Sequence, residues 1–115
     1  MLQNKISTIT KRSDFIYLKK HGTKIRSRLL NLIYAKSTQD VTKVAYIASK
    51  KIVGKAVKRN KSKRRLRSLV MEYCTLIPNN YLLLFIASSK TYNIDYQLLT
   101  NDFLYCINKI NNLSR

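Results

Sequence analysis

Two spacings of apolar residues alternate along this chain, one helical and one extended. Phe15, Ile16 and Leu18 follow Ser13 and Asp14, residue types that cap or open helices, and Gly22 stands after them as a stop; this predicts a short helix. Residues 29–36 (LLNLIYAK) alternate, with Leu30, Leu32 and Tyr34 on one face and Leu29, Ile33 and Ala35 on the other, which predicts a strand. The polar residues 37–42 fit a hairpin loop leading to a second strand over 43–49, where Val44, Tyr46 and Ala48 alternate. Over 55–73 the period becomes helical, and Leu66, Leu69, Val70 and Tyr73 form an apolar stripe that Pro78 brings to an end. Tyr81–Ala87 (YLLLFIA) is apolar without alternation, as expected of a strand covered on both faces. Leu98, Leu99, Phe103, Ile107 and Ile110 mark a closing amphipathic helix, and residues 23–28 leave room for one more short strand. The expectation is a single α+β domain over 1–115, with a mixed sheet of about four strands, three helices, and residues 1–9 as a flexible N-terminal extension.

Composition leaves that picture unchanged, but charge alters it. The chain has 115 residues and 45% hydrophobic content, enough for one modest core. It carries 23 Lys and Arg against 5 Asp and Glu, a formal net charge of +18. Residues 1–68 hold 20 of the basic and 2 of the acidic residues, so they hold the whole excess; residues 69–115 hold 3 of each. So lopsided a charge repels itself in a compact state unless a polyanion neutralises it. Nucleic acid is the leading candidate and an anionic membrane surface the second. The longest apolar run, Tyr81–Ala87, is far below the roughly 18 residues of a membrane span. The first residues contain no apolar signal-peptide segment, so a cytoplasmic protein with reduced Cys74 and Cys106 in its core is expected.

The chemistry-bearing stretch is 50–67. It contains ten basic residues and no acid: Lys50, Lys51, Lys55, Lys58, Arg59, Lys61, Lys63, Arg64, Arg65 and Arg67. On a helix Asn60, Arg64 and Arg67 share one face, bordered by Arg59 and Lys63, while Leu66, Leu69 and Val70 anchor the other side. A merely solvated helix interleaves acids for i,i+4 pairing, and this one has none. The Asn60 amide, which both donates and accepts, suits a specific contact within the ridge. Catalytic residues are not expected on this chain. His21 lies beside Gly22 in a turn, and the five acids are scattered without paired carboxylates or metal-ligand spacing. Competing readings are a ribosomal or other structural RNA-binding protein, a peripheral membrane protein with a basic amphipathic helix, and a protein nuclease. The last lacks its acid and histidine inventory, and the membrane reading lacks an apolar face to spare.

The stretch Ser49-Lys50-Lys51, Gly54-Lys55-Ala56-Val57, Arg59-Asn60, Lys63-Arg64 and Arg67 resembles the signature of the bacterial ribonuclease P protein family, S-K-K-x-x-G-x-A-V-x-R-N-x-x-K-R-x-x-R, at every fixed position. Asp14-Phe15 and His21-Gly22 extend the likeness, which covers about residues 10–110. The resemblance implies an α/β sandwich like the second domain of ribosomal protein S5, with a left-handed β-α-β crossover. It implies one protein bound to one catalytic RNA, which with its own magnesium removes the 5′ leader from precursor tRNA. No cofactor is implied on the protein and no membrane partner. Lys50, Lys51, Lys55, Lys58, Arg59, Asn60, Lys63, Arg64 and Arg67 would contact the catalytic RNA; Phe15, Lys19 and Tyr34 would meet the leader. Three residues depart from the family's habit. Lys61 stands where Arg is common and lacks its planar fork, Lys19 stands where an aromatic is frequent, and Ser88 stands where Arg is frequent.

Overall fold

The computed structural model describes residues 6–113. Over these residues the chain runs β1 (Ile6–Thr8), α1 (Arg12–His21), β2 (Thr23–Arg26), β3 (Leu30–Lys36), β4 (Thr42–Ile47), α2 (Lys50–Val53), α3 (Ala56–Glu72), a 3-10 turn (Cys74–Leu76), β5 (Tyr81–Ala87) and α4 (Tyr96–Leu113). The strands form one five-stranded mixed sheet in the order β1-β4-β5-β3-β2. Its most apolar strand, β5, lies in the middle, parallel to β4 and antiparallel to β3. A strand with no polar face must be covered above, below and along both edges, and the central position meets all of these needs.

That position overturns the expected hairpin. β3 and β4 are joined by the polar loop but separated by β5, which takes the inner edge of each. The sheet has five strands rather than about four. The predicted short strand is β2, antiparallel to β3, and the fifth is β1, parallel to β4. Residues 6–9 are therefore part of the sheet rather than a flexible extension, and Ile9 is buried against α1; residues 1–5 lie outside the described residues. A short helix, α2, adds to the three expected. Helix α1 starts at Arg12 with Lys11 at its N-cap and no side-chain cap, so Ser13 and Asp14 stand inside its first turn. There Asp14 complements the helix dipole and meets Lys43 at 3.7 Å.

Helices cover both faces. Leu30, Leu32, Leu83 and Phe85 point toward α3 and α4, where Leu66, Leu69, Leu99, Phe103 and Ile107 close the larger core. Ile33, Ala35, Ala45, Leu82 and Leu84 point the other way and pack against Leu18 of α1, with Phe15 half-buried at the rim. Gly22 lets α1 end directly on β3, since a Cβ there would stand 2.3 Å from the Leu18 carbonyl oxygen and 2.6 Å from Ile33. The last described helix is tied back by Asp102, whose carboxylate accepts the Leu29 N–H at 2.8 Å.

Candidate nucleic-acid interface

The basic stretch folds as two helices around a fixed corner. Ser49 caps α2 by accepting the Ile52 N–H at 3.1 Å, and the Gly54 N–H returns to the Lys50 carbonyl at 3.0 Å. Gly54 then adopts φ +101°, a conformation that side-chain-bearing residues rarely reach. The Arg59 Nε–H closes the corner by donating to the Gly54 carbonyl at 3.0 Å. No acidic residue stands in the first turn of α2 or α3, so the positive ends of both helix dipoles add to the side-chain charge.

The ten basic residues divide by direction. Arg64 and Arg67 are exposed together with Asn60 on the outer face of α3, and Lys50, Lys51, Lys55 and Lys61 are exposed around its N-terminal corner. Lys63 is half-buried on the flank. Exposed Val57 and Met71 stand at the two ends of the same outer face. Arg59, besides bordering the ridge, positions the corner. Lys58 and Arg65 lean the other way. Lys58 stands 5.0 Å from the Tyr92 ring centroid, and Arg65 donates to the carbonyls of Thr91 and Ile94, both at 2.7 Å, above the Tyr96 ring. Lys58 thus belongs with the strut formed by Arg65 rather than with the Asn60 face. Among the described residues none of the ten pairs with an acid, and the exposed ones, Lys50, Lys51, Lys55, Lys61, Arg64 and Arg67, leave their charge open to a ligand.

On the opposite face of the sheet α1 leaves one row of residues open. Arg26, Asn31, Ile86 and Ile47 lie side by side across four strands, and Ile47 is 36% exposed. Together with Lys24 and Ile33, the first three border a groove of about 190 Å³. Phe15 packs against the cluster that contains Ile33 on this face, and Lys19 is exposed one turn farther along α1. Tyr34 does not join them. Its side chain faces α3 and α4 and sits 6.0 Å from the Tyr81 ring, because it alternates with Ile33. Arg26 and Asn31 were missed by motif reading, although their alternation with buried Ile25, Leu30 and Leu32 puts them on this face. Ser88, at the end of β5, is a structural residue. Its hydroxyl donates to the Leu29 carbonyl at 2.9 Å, and its N–H donates to Thr91 Oγ1 at 2.8 Å.

Among the described residues no three His, Cys, Asp or Glu side chains gather as a metal site, and no helix is long and apolar enough to cross a membrane. The family model for ribonuclease P matches residues 3–111. The ribonuclease P protein component of a Nitratiruptor species is 29% identical over 106 residues, covering 91% of this chain and 93% of the relative. Among solved structures, the RNase P protein from Thermotoga maritima superposes with a TM-score of 0.79 at 21% identity, over 90% of this chain and 96% of that one. The RNase P protein of Staphylococcus aureus gives 0.75 at 26% identity, over 90% and 93%.

Proposed function

Because this chain belongs to the ribonuclease P protein family, we propose that it is the RNA-binding subunit of an endonuclease that removes the 5′ leader from precursor tRNA. The observation that carries this reading is the α2–α3 ridge: an exposed, acid-free cationic face with Asn60, Arg64 and Arg67 aligned on it. It docks the catalytic RNA, one protein per RNA, and contacts backbone geometry, since a helix does not enter the narrow major groove of A-form RNA. Lys50, Lys51, Lys55, Arg59 and Lys63 extend the contact around the corner. Chemistry stays on the RNA with its magnesium, and this chain contributes binding and placement.

The leader lies along the open row on the α1 face. Phe15 offers a stacking surface to an unpaired base, Lys19, Lys24 and Arg26 neutralise phosphates, and Asn31 offers an amide to a base edge. Strand β4 runs from Ile47 in that row straight into Ser49 and α2, so the two RNA sites share one rim of the sheet. This adjacency supports a protein that holds substrate and catalyst at once.

The test is reconstitution. Alone, the protein should leave precursor tRNA intact; with a bacterial ribonuclease P RNA at low magnesium it should restore accurate leader removal. Robust cleavage by RNA-free protein would overturn the assignment of chemistry to the RNA. Tight RNA binding without stimulation of cleavage would favour a purely structural RNA-binding protein.

A further inference from the structure

We propose that the groove between α3 and the edge strand β1 holds one unpaired nucleobase of the RNA docked on the ridge, stacked on the Arg67 guanidinium. This rests on the RNA-binding reading above and adds a base-sized site to it. The groove is open to solvent and has a volume of about 390 Å³, within the roughly 300–1,000 Å³ of small-ligand sites, and is lined among others by Ile6, Thr8, Tyr46, Arg67, Met71 and Cys74.

Its back wall is a stack that begins in the core. Phe103 stacks on Phe85 at 5.5 Å, Phe85 on Tyr46 at 6.0 Å, and the Arg67 guanidinium carbon lies 5.6 Å from the Tyr46 ring centroid. The stack thus ends at the surface on a guanidinium, a group on which unpaired bases stack. Arg67 is also the last residue of the Asn60–Arg64 face, so an RNA strand following the ridge arrives at the groove mouth. A phosphate alone would have no use for the apolar walls supplied by Ile6, Val70 and Met71, the last 70% exposed. A base has flat apolar faces and polar edges. The walls suit the faces, and Ser7 and Thr8 on the edge strand suit the edges. A base paired in a duplex is stacked on both sides and cannot enter, which makes the occupant an unpaired nucleotide.

Cys74 lines this groove and is half-buried, whereas Cys106 is 0% exposed, so N-ethylmaleimide should modify Cys74 selectively. The adduct fills the groove without touching charge. Binding to a ribonuclease P RNA should weaken about tenfold with the salt slope unchanged, and Cys74→Ala protein should not respond to the reagent. Unchanged affinity after complete modification overturns the proposal, as does a loss with a shallower salt slope, which reports lost phosphate contacts. In Cys74→Ala protein, an azidophenacyl photo-cross-linker on Met71→Cys, at the exposed rim of the groove, should map to an unpaired nucleotide; a cross-link inside a duplex overturns it. Failure of the unmodified protein to bind the RNA overturns the RNA-binding reading itself and is seen before any modification.

Discussion

Arg64 and Arg65 are neighbours in sequence with the same charge, yet they are expected to fail in different assays. Arg65 donates to two carbonyls of the loop that leads into α4. Charged hydrogen bonds of this kind contribute about 1.5–3 kcal/mol, so Arg65→Ala should lower unfolding stability by about 2 kcal/mol and the melting temperature by several degrees. Arg64 makes no such contact and is exposed. Arg64→Ala should leave the melt unchanged and weaken binding to the catalytic RNA by about 1–2 kcal/mol. Equal binding losses for the two variants in a titration would mean that the ridge acts only as diffuse charge. Cys106 gives a prediction in pH. Burial, and then the Asp102 carboxylate beside it, push its thiol up to about 12 from an ordinary 9.0. The unfolded chain therefore releases this proton first as pH rises. The stabilisation is full below pH 9 and is lost between about 9 and 12. Melting temperature should fall more steeply from pH 9 to 10.5 in the native protein than in Cys106→Ala, and parallel curves would refute it.

Single elements decide where these side chains can act. Alternation in β3 separates Ile33 from Tyr34, so Phe15→Ala should lower affinity for precursor tRNA more than for leaderless tRNA, while Tyr34→Phe should leave that ratio unchanged. A changed ratio for Tyr34→Phe alone would put the leader on the wrong face. The alternation was legible in residues 29–36; which face α1 covers was not, because that depends on Leu18 and Ile9 packing against distant strands. The same limit hid the strand order. The apolar run Tyr81–Ala87 announced a strand buried on all sides, but nothing local to residues 37–42 says that β5 will insert between the strands on either side. β1 spans three residues, too few to display a period. The α3 ridge was legible because charge and helical spacing are local properties, whereas the approach of Lys58 to Tyr92 was not, because Tyr92 lies in a different segment. Gly54 carries its own test. With φ +101° and open space around it, Gly54→Ala meets only backbone strain, about 1–3 kcal/mol. It should destabilise the α2–α3 corner and weaken RNA binding even though no charge is removed.

For the molecule as a whole the same charges act with opposite sign in the free and bound states. Free protein carries a net +18, and ten basic residues crowd residues 50–67 with no acid among them. Added salt screens that repulsion over a Debye length of about 10 Å at 0.1 M, so the melting temperature of the free protein should rise as salt is raised from low ionic strength. In the proposed RNA complex, phosphates would provide the screening, and binding would release the ions condensed on them. If the ridge neutralises about six phosphates, log K should fall with log salt at a slope of roughly −5 on a duplex-like partner. Salt should therefore stabilise the fold while weakening the complex. Arg64→Ala should make the slope shallower by about one unit, and Arg65→Ala should not, because Arg65 is held against the α4 loop. A free-protein melting temperature indifferent to added salt would refute self-repulsion as a contribution to its stability.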